Sequence, residues 1–501
     1  MKLIKVCLLF LSLAGCEALF GIEVTPNIPE AATITNACLK LVSVSQQIRQ
    51  SVNNVGELSF TTFLLQTGAT SFVSSVSQTY TTLASIAQEL NTVTNANTGN
   101  LNTIFSAAIT SMKAFTSITI DERFAKWLIL QNSGTSPDFS TIILTLNEVI
   151  DFFENTLQPG MKTFASNRIL QATFYSVIPK QKVSTVAQKL TEMADYHETV
   201  VLPFVNRLGS TFRMTSDKLT MFLTSTDQAF QHMDGTLTST YARFIELTKT
   251  ARLAANEMQP TIRSSVQQFT KQIQEFTDLY VGGSASEYAK SATDMYSSWL
   301  NTLTEQMKVI DSHLERTRNA YSDSVLVSFG QALALGFRIV TQSLLFTIQN
   351  ATNRTNVSCS EQAFNKFIND FGTFLRNSMC ECFSGSDYDI STPINAQMTT
   401  VRDIQKDIAQ YFNQLTNAVG GLSNSSPLSA RMQLDMFLTA FFSQSNNITP
   451  TLLQQLVNMA TELGVDYDLL IGRTRYCLAM SLAVADRMTI IFSNAIAACL
   501  S

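Results

Sequence analysis

The chain has 501 residues, of which 45% are hydrophobic and only 15% charged, with a formal net charge of -5. That apolar share is ample for a packed core and excludes a disordered polymer. The mild acidity, without any dense Lys/Arg tract, excludes nucleic acid and an electrostatic grip on anionic lipid.

Lys2 and Lys5 precede an apolar run from Val6 to Leu13 and then small residues, the order of an export leader spanning residues 1–18 and cleaved after Ala18. Leu13-Ala14-Gly15-Cys16 also matches a bacterial lipobox, in which Cys16 would carry a lipid anchor. The even set of six cysteines beyond the leader suits an oxidising compartment and favours ordinary secretion.

Pro26 and Pro29 mark an extended lead-in, after which Ala31 to Val52 is expected to be helical, with Cys38 near its start. Phe72, Val76, Tyr80, Leu83, Ala87, Leu90 and Val93 form a second apolar stripe that runs out in the turn-favouring residues after Asn95. Helix resumes over Leu101 to Phe115, with a short helix expected over Asp121 to Leu130 and a loop over Asn132 to Pro137. A further stripe starts at Phe139 and lasts until Pro159-Gly160. Val183 to Leu208 is helical by the same test, with Pro203 marking a kink or a restart.

The longest apolar rhythm runs from Phe230 to Leu314, broken at Pro260 and at Gly282-Gly283. Its three- and four-residue steps place Phe244, Ala251, Ile262, Phe269, Trp299, Leu303 and Ile310 along one stripe. Gly330 to Phe346 reads as a helix that is apolar nearly all round. Val325 to Gln349 is interrupted by Gln331, Arg338 and Gln342, and Leu478 to Leu500 holds Asp486-Arg487 at its centre. Both therefore read as buried bundle helices, and no transmembrane segment is expected.

Asn350, Asn353 and Asn356 open three consecutive glycosylation sequons, in a segment (residues 350–358) that reads as a linker. Two more sequons follow at Asn424 and Asn447, both in loop-like contexts. Phe364 to Leu375 and Ile394 to Val419 line two helices, Met432 to Phe442 and Leu452 to Leu463 two shorter ones, and Asp466 to Cys499 the last. No period-two run bounded by hairpin turns occurs, so a sheet is not expected, and no fixed-length repeat points to a solenoid. The expected fold is all-α: an elongated bundle of long antiparallel helices with coiled-coil-like packing over residues 19–349, and a disulfide-linked helical module over residues 359–501.

Cys359 and Cys380 are 21 residues apart, and Cys477 and Cys499 are 22 apart. These are helical spans of roughly 31 and 33 Å. Two antiparallel helices with matched rungs would pair Cys359 with Cys499 and Cys380 with Cys477, leaving Cys382 for Cys38. Cys380-Glu381-Cys382 alone is poor zinc chemistry, so no metal and no cofactor is expected. His197, His232 and His313 each stand alone on a different helix, and no nucleophile elbow, metalloprotease motif, dinucleotide fingerprint or phosphate loop is present. No catalytic residue can be named, and an enzyme is not expected.

The leader, the Ser/Thr/Gln-rich helices and the cysteines from Cys359 to Cys499 resemble secreted proteins of flies and mosquitoes, among which the tsetse EP-protein type is the nearest family. The resemblance implies a secreted, cysteine-containing helical domain; the glutamate–proline repeats of that family are absent. Three functions fit these readings. One is a secreted interaction or structural protein that binds another protein or itself through long helical faces. The second is an extracellular carrier of lipid or another apolar ligand between helices. The third is a helical pore-forming protein whose mobile segment would be Val325 to Phe346.

Overall fold

The computed structural model describes residues 18–58, 63–96, 101–117, 137, 140–164, 168–280, 285–384, 386–422 and 427–501. The leader with Cys16, the expected helix at Asp121 to Leu130, Gly282-Gly283 and Asn424 lie outside these residues. The chain is all-α in its main body. In order, the helices are α1 (Pro29–Gly56), α2 (Phe63–Thr94), α3 (Leu101–Thr116), α4 (Ser140–Phe152), α5 (Gln171–Val177) and α6 (Lys180–Tyr196). There follow α7 (Leu202–Glu257), α8 (Gln259–Tyr280), α9 (Ala285–Asn350), α10 (Arg354–Phe374), α11 (Ser386–Leu422) and α12 (Pro427–Leu500). With 66 and 74 residues, α9 and α12 far exceed the globular mean.

The chain divides into two compact units. One comprises Met1–Leu223, Phe337–Ile368 and Ile490–Ser501, the other Thr224–Gly336 and Asn369–Thr489. The divisions fall inside α7, α9, α10 and α12 and not at residues 350–358, where only three residues separate α9 from α10.

In the first unit, α1 buries Ile34, Leu41, Val44, Ile48, Val52 and Val55 along one stripe, against α2 and α6. Antiparallel pairing with α2 brings Thr35 into hydrogen bonding with Asn95, 3.2 Å away. Phe72 stacks on Phe212 of α7 at 5.6 Å, and Phe492 of α12 stacks on Phe367 of α10 at 4.4 Å. Lys218, only 5% exposed, is held on α7 by Glu361 at 2.9 Å and Asn365 at 2.8 Å. A buried ammonium needs such partners, because an unpaired one would lose its hydration without compensation.

This unit also carries a small sheet that the sequence analysis did not expect. β1 (Ala18–Leu19) pairs antiparallel with β2 (Ile22–Thr25), and β2 pairs parallel with β3 (Arg168–Leu170). The strands have two to four residues and β3 comes from a remote part of the chain, so no alternation is long enough to betray them. Phe20 turns the chain at φ 52, a left-handed conformation unfavourable for an aromatic residue. Its amide donates to the Thr94 carbonyl at 3.1 Å and its fully buried ring meets Phe153 edge-on, which holds the turn in place.

The second unit is built on the stripe that dominates the sequence. Phe244, Ala251, Ile262, Val266, Phe269, Ile273, Trp299, Leu303, Ile310 and Leu314 are buried in one cluster with residues of α11 and α12. Phe269 meets Phe412 at 6.0 Å and Phe441 at 5.7 Å. Polar side chains in this core satisfy backbone groups: Gln405 donates to Ala255 O at 2.7 Å, and the Tyr467 hydroxyl to Ile390 O at 3.1 Å. The three helices expected after Asn424 are one, α12, which continues through Pro450. Proline there costs the bond to the Asn446 carbonyl, and burial of Leu438, Phe441, Leu456 and Leu463 on either side keeps the helix continuous.

The expectation that no segment is fit to cross a membrane is overturned. Tyr288–Asn350 and Leu428–Leu500 are both long and apolar enough, despite Arg338 and Asp486-Arg487. Nor are these stretches buried helices. Only 28% and 22% of their most apolar windows lie inside the protein, since neighbouring helices cover one face and leave the others open.

Gly464 of α12 provides a test of the second unit's packing. A Cβ there would lie 2.8 Å from the His313 ring, closer than van der Waals contact allows. Gly464→Ala is expected to lower stability by about 1–3 kcal/mol, as overpacking does. His313→Ala in the same chain should restore most of it, read as the urea midpoint of single and double variants.

Candidate functional site

Two bridges join the cysteines: Cys359 to Cys499 and Cys382 to Cys477, each with Cα atoms 5.5 Å apart. Cys38 and Cys380 are free and buried. The expected Cys380–Cys477 and Cys38–Cys382 pairings are thus corrected. The reason lies in a π turn, Leu375–Met379, between α10 and the short helical segment that carries both Cys380 and Cys382. A π turn adds one residue to the helical register. Between the bridges the α10 side spans 23 residues (382 − 359) and the α12 side 22 (499 − 477). The inserted residue turns Cys380 inward, to 3% exposure, and brings Cys382 to the rung. Burial pushes the Cys380 thiol up to about 11 and the Cys38 thiol up to about 12, far from nucleophilic or metal-binding behaviour at neutral pH. Among the described residues no group of three His, Cys, Asp or Glu side chains could hold a metal ion.

The sequons differ in their surroundings. Asn350 ends α9 and donates its amide nitrogen to Phe346 O at 2.9 Å. Asn353 is exposed in the break before α10, and its Oδ1 caps that helix by accepting from the Asn356 amide at 2.9 Å. Asn356 is partly buried and donates Nδ2 to Cys499 O at 2.7 Å. Asn447 is exposed within α12, not in the loop-like context expected.

Of the three histidines, His232 is exposed and His313 half-buried, while His197 is fully buried. His197 opens the π turn His197–Val201 between α6 and α7. Its Nδ1–H donates to Met193 O at 2.6 Å, and its ring meets Tyr80 and Tyr196 edge-on. Among the described residues neither His197 Nε2 nor the Tyr80 hydroxyl has a hydrogen-bond partner. Desolvation outweighs the Met193 bond and pulls the imidazole down to about 4, while burial raises the Tyr80 hydroxyl. The charged groups nearby on α6 and the π turn, Asp195 and Glu198, are both engaged by Lys40 of α1. The His197–Tyr80 pair is packed into the core of the first unit, and burial disfavours a charge on either ring.

An extended apolar surface lies uncovered among the described residues. On the side of α12 away from the core, Val465, Leu469, Tyr476, Met480 and Val484 are 46–71% exposed, with Tyr476 the most open. Gly472 falls on the same line, and a Cβ there would meet nothing within 4 Å. Steps of three and four residues make this a continuous stripe along about five turns. No single-residue motif announces it. Leu326 and Val327 of α9 are exposed as well, at 46% and 59%. Elsewhere the surface opens into grooves, among them one of about 510 Å³ between α7 and α9, crossed by the Arg252–Asp311 ion pair.

Non-reducing peptide mapping should yield the 359–499 and 382–477 cross-links, with Cys38 and Cys380 alkylated only after denaturation. Removing the first bridge by Cys359→Ser with Cys499→Ser is expected to cost about 2–5 kcal/mol, read from the thermal midpoint. His197 binds its proton more weakly folded than unfolded, so its contribution is complete above about pH 6.5 and lost as pH falls towards 4. The loss is roughly 3 kcal/mol. A His197→Gln variant should show a flatter stability profile between those pH values. No protein-family model and no curated protein sequence matches the chain.

Proposed function

We propose that this is a secreted, non-enzymatic interaction protein that docks a partner helix, or a second copy of itself, along the exposed stripe of α12. The observation that carries this reading is the run Val465, Leu469, Tyr476, Met480 and Val484, apolar and open on a helix whose opposite face is packed. A soluble protein seldom leaves so extended an apolar line uncovered unless something seats there. Exposed Tyr and Met are the side chains that anchor such contacts, Tyr through its ring and hydroxyl, Met through its pliable thioether. The leader-like N-terminus and the two bridges accord with an oxidising, extracellular setting.

A second reading, a helical membrane-inserting protein, is favoured by a different observation. Tyr288–Asn350 and Leu428–Leu500 are long and apolar enough to cross a bilayer, and their apolar windows are mostly uncovered. In that reading the same surface would face lipid.

Tyr476→Glu with Met480→Glu separates the two. Both side chains are exposed, so the variant should fold with an unchanged thermal midpoint. Under the interaction reading it loses self-association, or capture of its partner from the native fluid, by tenfold or more. Dye release from liposomes by the wild type, abolished in the variant, would instead support insertion. Unaltered association together with intact liposomes would contradict both.

A further inference from the structure

The three consecutive sequons are equivalent in sequence and unequal in the fold. We propose that Asn353 is the one that carries an N-linked glycan, and that Asn350 and Asn356 stay bare. This rests on the secretory part of the proposed function. The chemistry is transfer of an oligosaccharide from a polyprenyl-diphosphate donor. A bond forms between the sugar C1 and the asparagine Nδ2, the C1–O bond to the diphosphate breaks, the amide nitrogen loses one proton and the polyprenyl diphosphate leaves.

The product must leave room at Nδ2. At Asn356 that nitrogen lies 2.7 Å from the carbonyl of Cys499, which is itself bridged to Cys359 three residues further on. A sugar there would have to displace the C-terminal turn of α12 from the α10 start, so closure of the bridge selects chains with Asn356 unmodified. At Asn350 the nitrogen is turned back onto the Phe346 carbonyl at 2.9 Å, along the side of α9. Asn353 has the opposite arrangement. Its side chain is exposed, and its Oδ1 is taken by the Asn356 amide. The two heteroatoms of a carboxamide point to opposite sides, so the cap directs Nδ2 away from the helix end.

The surface beside it also suits a sugar. Asn353 lies at a groove of about 680 Å³, lined on α7 by Asn206, Arg207, Ser210 and Met214. Asn206 and Ser210, both exposed, offer hydrogen bonds to hydroxyls. Arg207 is fixed there by its bond to the Thr352 carbonyl and by its position over the Phe204 ring.

The test is expression of the full chain, with its own leader and a control sequon appended after Ser501, in a eukaryotic secretory cell line. Glycosylated asparagines are marked by enzymatic deamidation in heavy-oxygen water and located by peptide mass. The expected result is Asn353 occupied at least tenfold more than Asn350 or Asn356, and loss of that glycan in Thr355→Ala, which removes its sequon alone. Occupancy of Asn356 or Asn350 equal to or above that of Asn353 overturns the assignment, as does a bare Asn353 on a chain whose control sequon is glycosylated. A bare control sequon shows that the chain never entered the lumen, and then the secretory reading falls and takes the assignment with it.

Discussion

One-sided burial of very long helices governs this protein. A helix offers its whole circumference to its surroundings, and a bundle partner covers about a third of it. Where the remaining circumference is mostly polar, as on α8 with its Gln, Thr, Lys and Glu side chains, water completes the job. Where it is Val, Leu, Tyr and Met, as along α12 from Val465 to Val484, water does it poorly. The low content of charged residues sharpens the contrast, because few Lys or Glu stems are at hand to screen apolar surface.

Both the bridges and the π turns follow from that geometry. Helices of such length accumulate small register errors, and π turns are where a surplus residue is taken up. The turn at Leu375–Met379 reconciles 23 residues with 22 between the two bridges, and its consequence is chemical as well as geometric. It chooses which of Cys380 and Cys382 becomes a disulfide and which is sealed in the core as a thiol. The turn at His197–Val201 has a comparable effect, turning an imidazole into the space beside Tyr80 with Nε2 unpartnered among the described residues.

Much of the architecture was legible in the sequence, because steps of three and four residues are a direct record of which face a helix buries. Phe269, Trp299, Leu303 and Ile310 stand on the stripe they were expected to occupy. Several features were not legible. Three expected helices fused into α12 because Pro450 did not break it, tertiary packing overriding a local penalty. The short strands at Ile22–Thr25 and Arg168–Leu170 leave no periodicity to read. The disulfide partners depended on a single extra residue of π register, which spacing arithmetic on an ideal helix cannot contain. The exposed stripe was hidden for a related reason: apolarity shows in the sequence, but which apolar residues find cover is decided only in three dimensions.

The claim that the outer face of α12 is an occupied docking surface is tested most directly by covalent footprinting. Labelling of Tyr476 and Met480 should be compared between the protein in its native setting and the isolated chain diluted to a monomer. The account predicts strong protection of both side chains in the native setting, with Arg473 and Arg475 on the same turns labelled alike in both states. Equal labelling of Tyr476 and Met480 in the two states would contradict it.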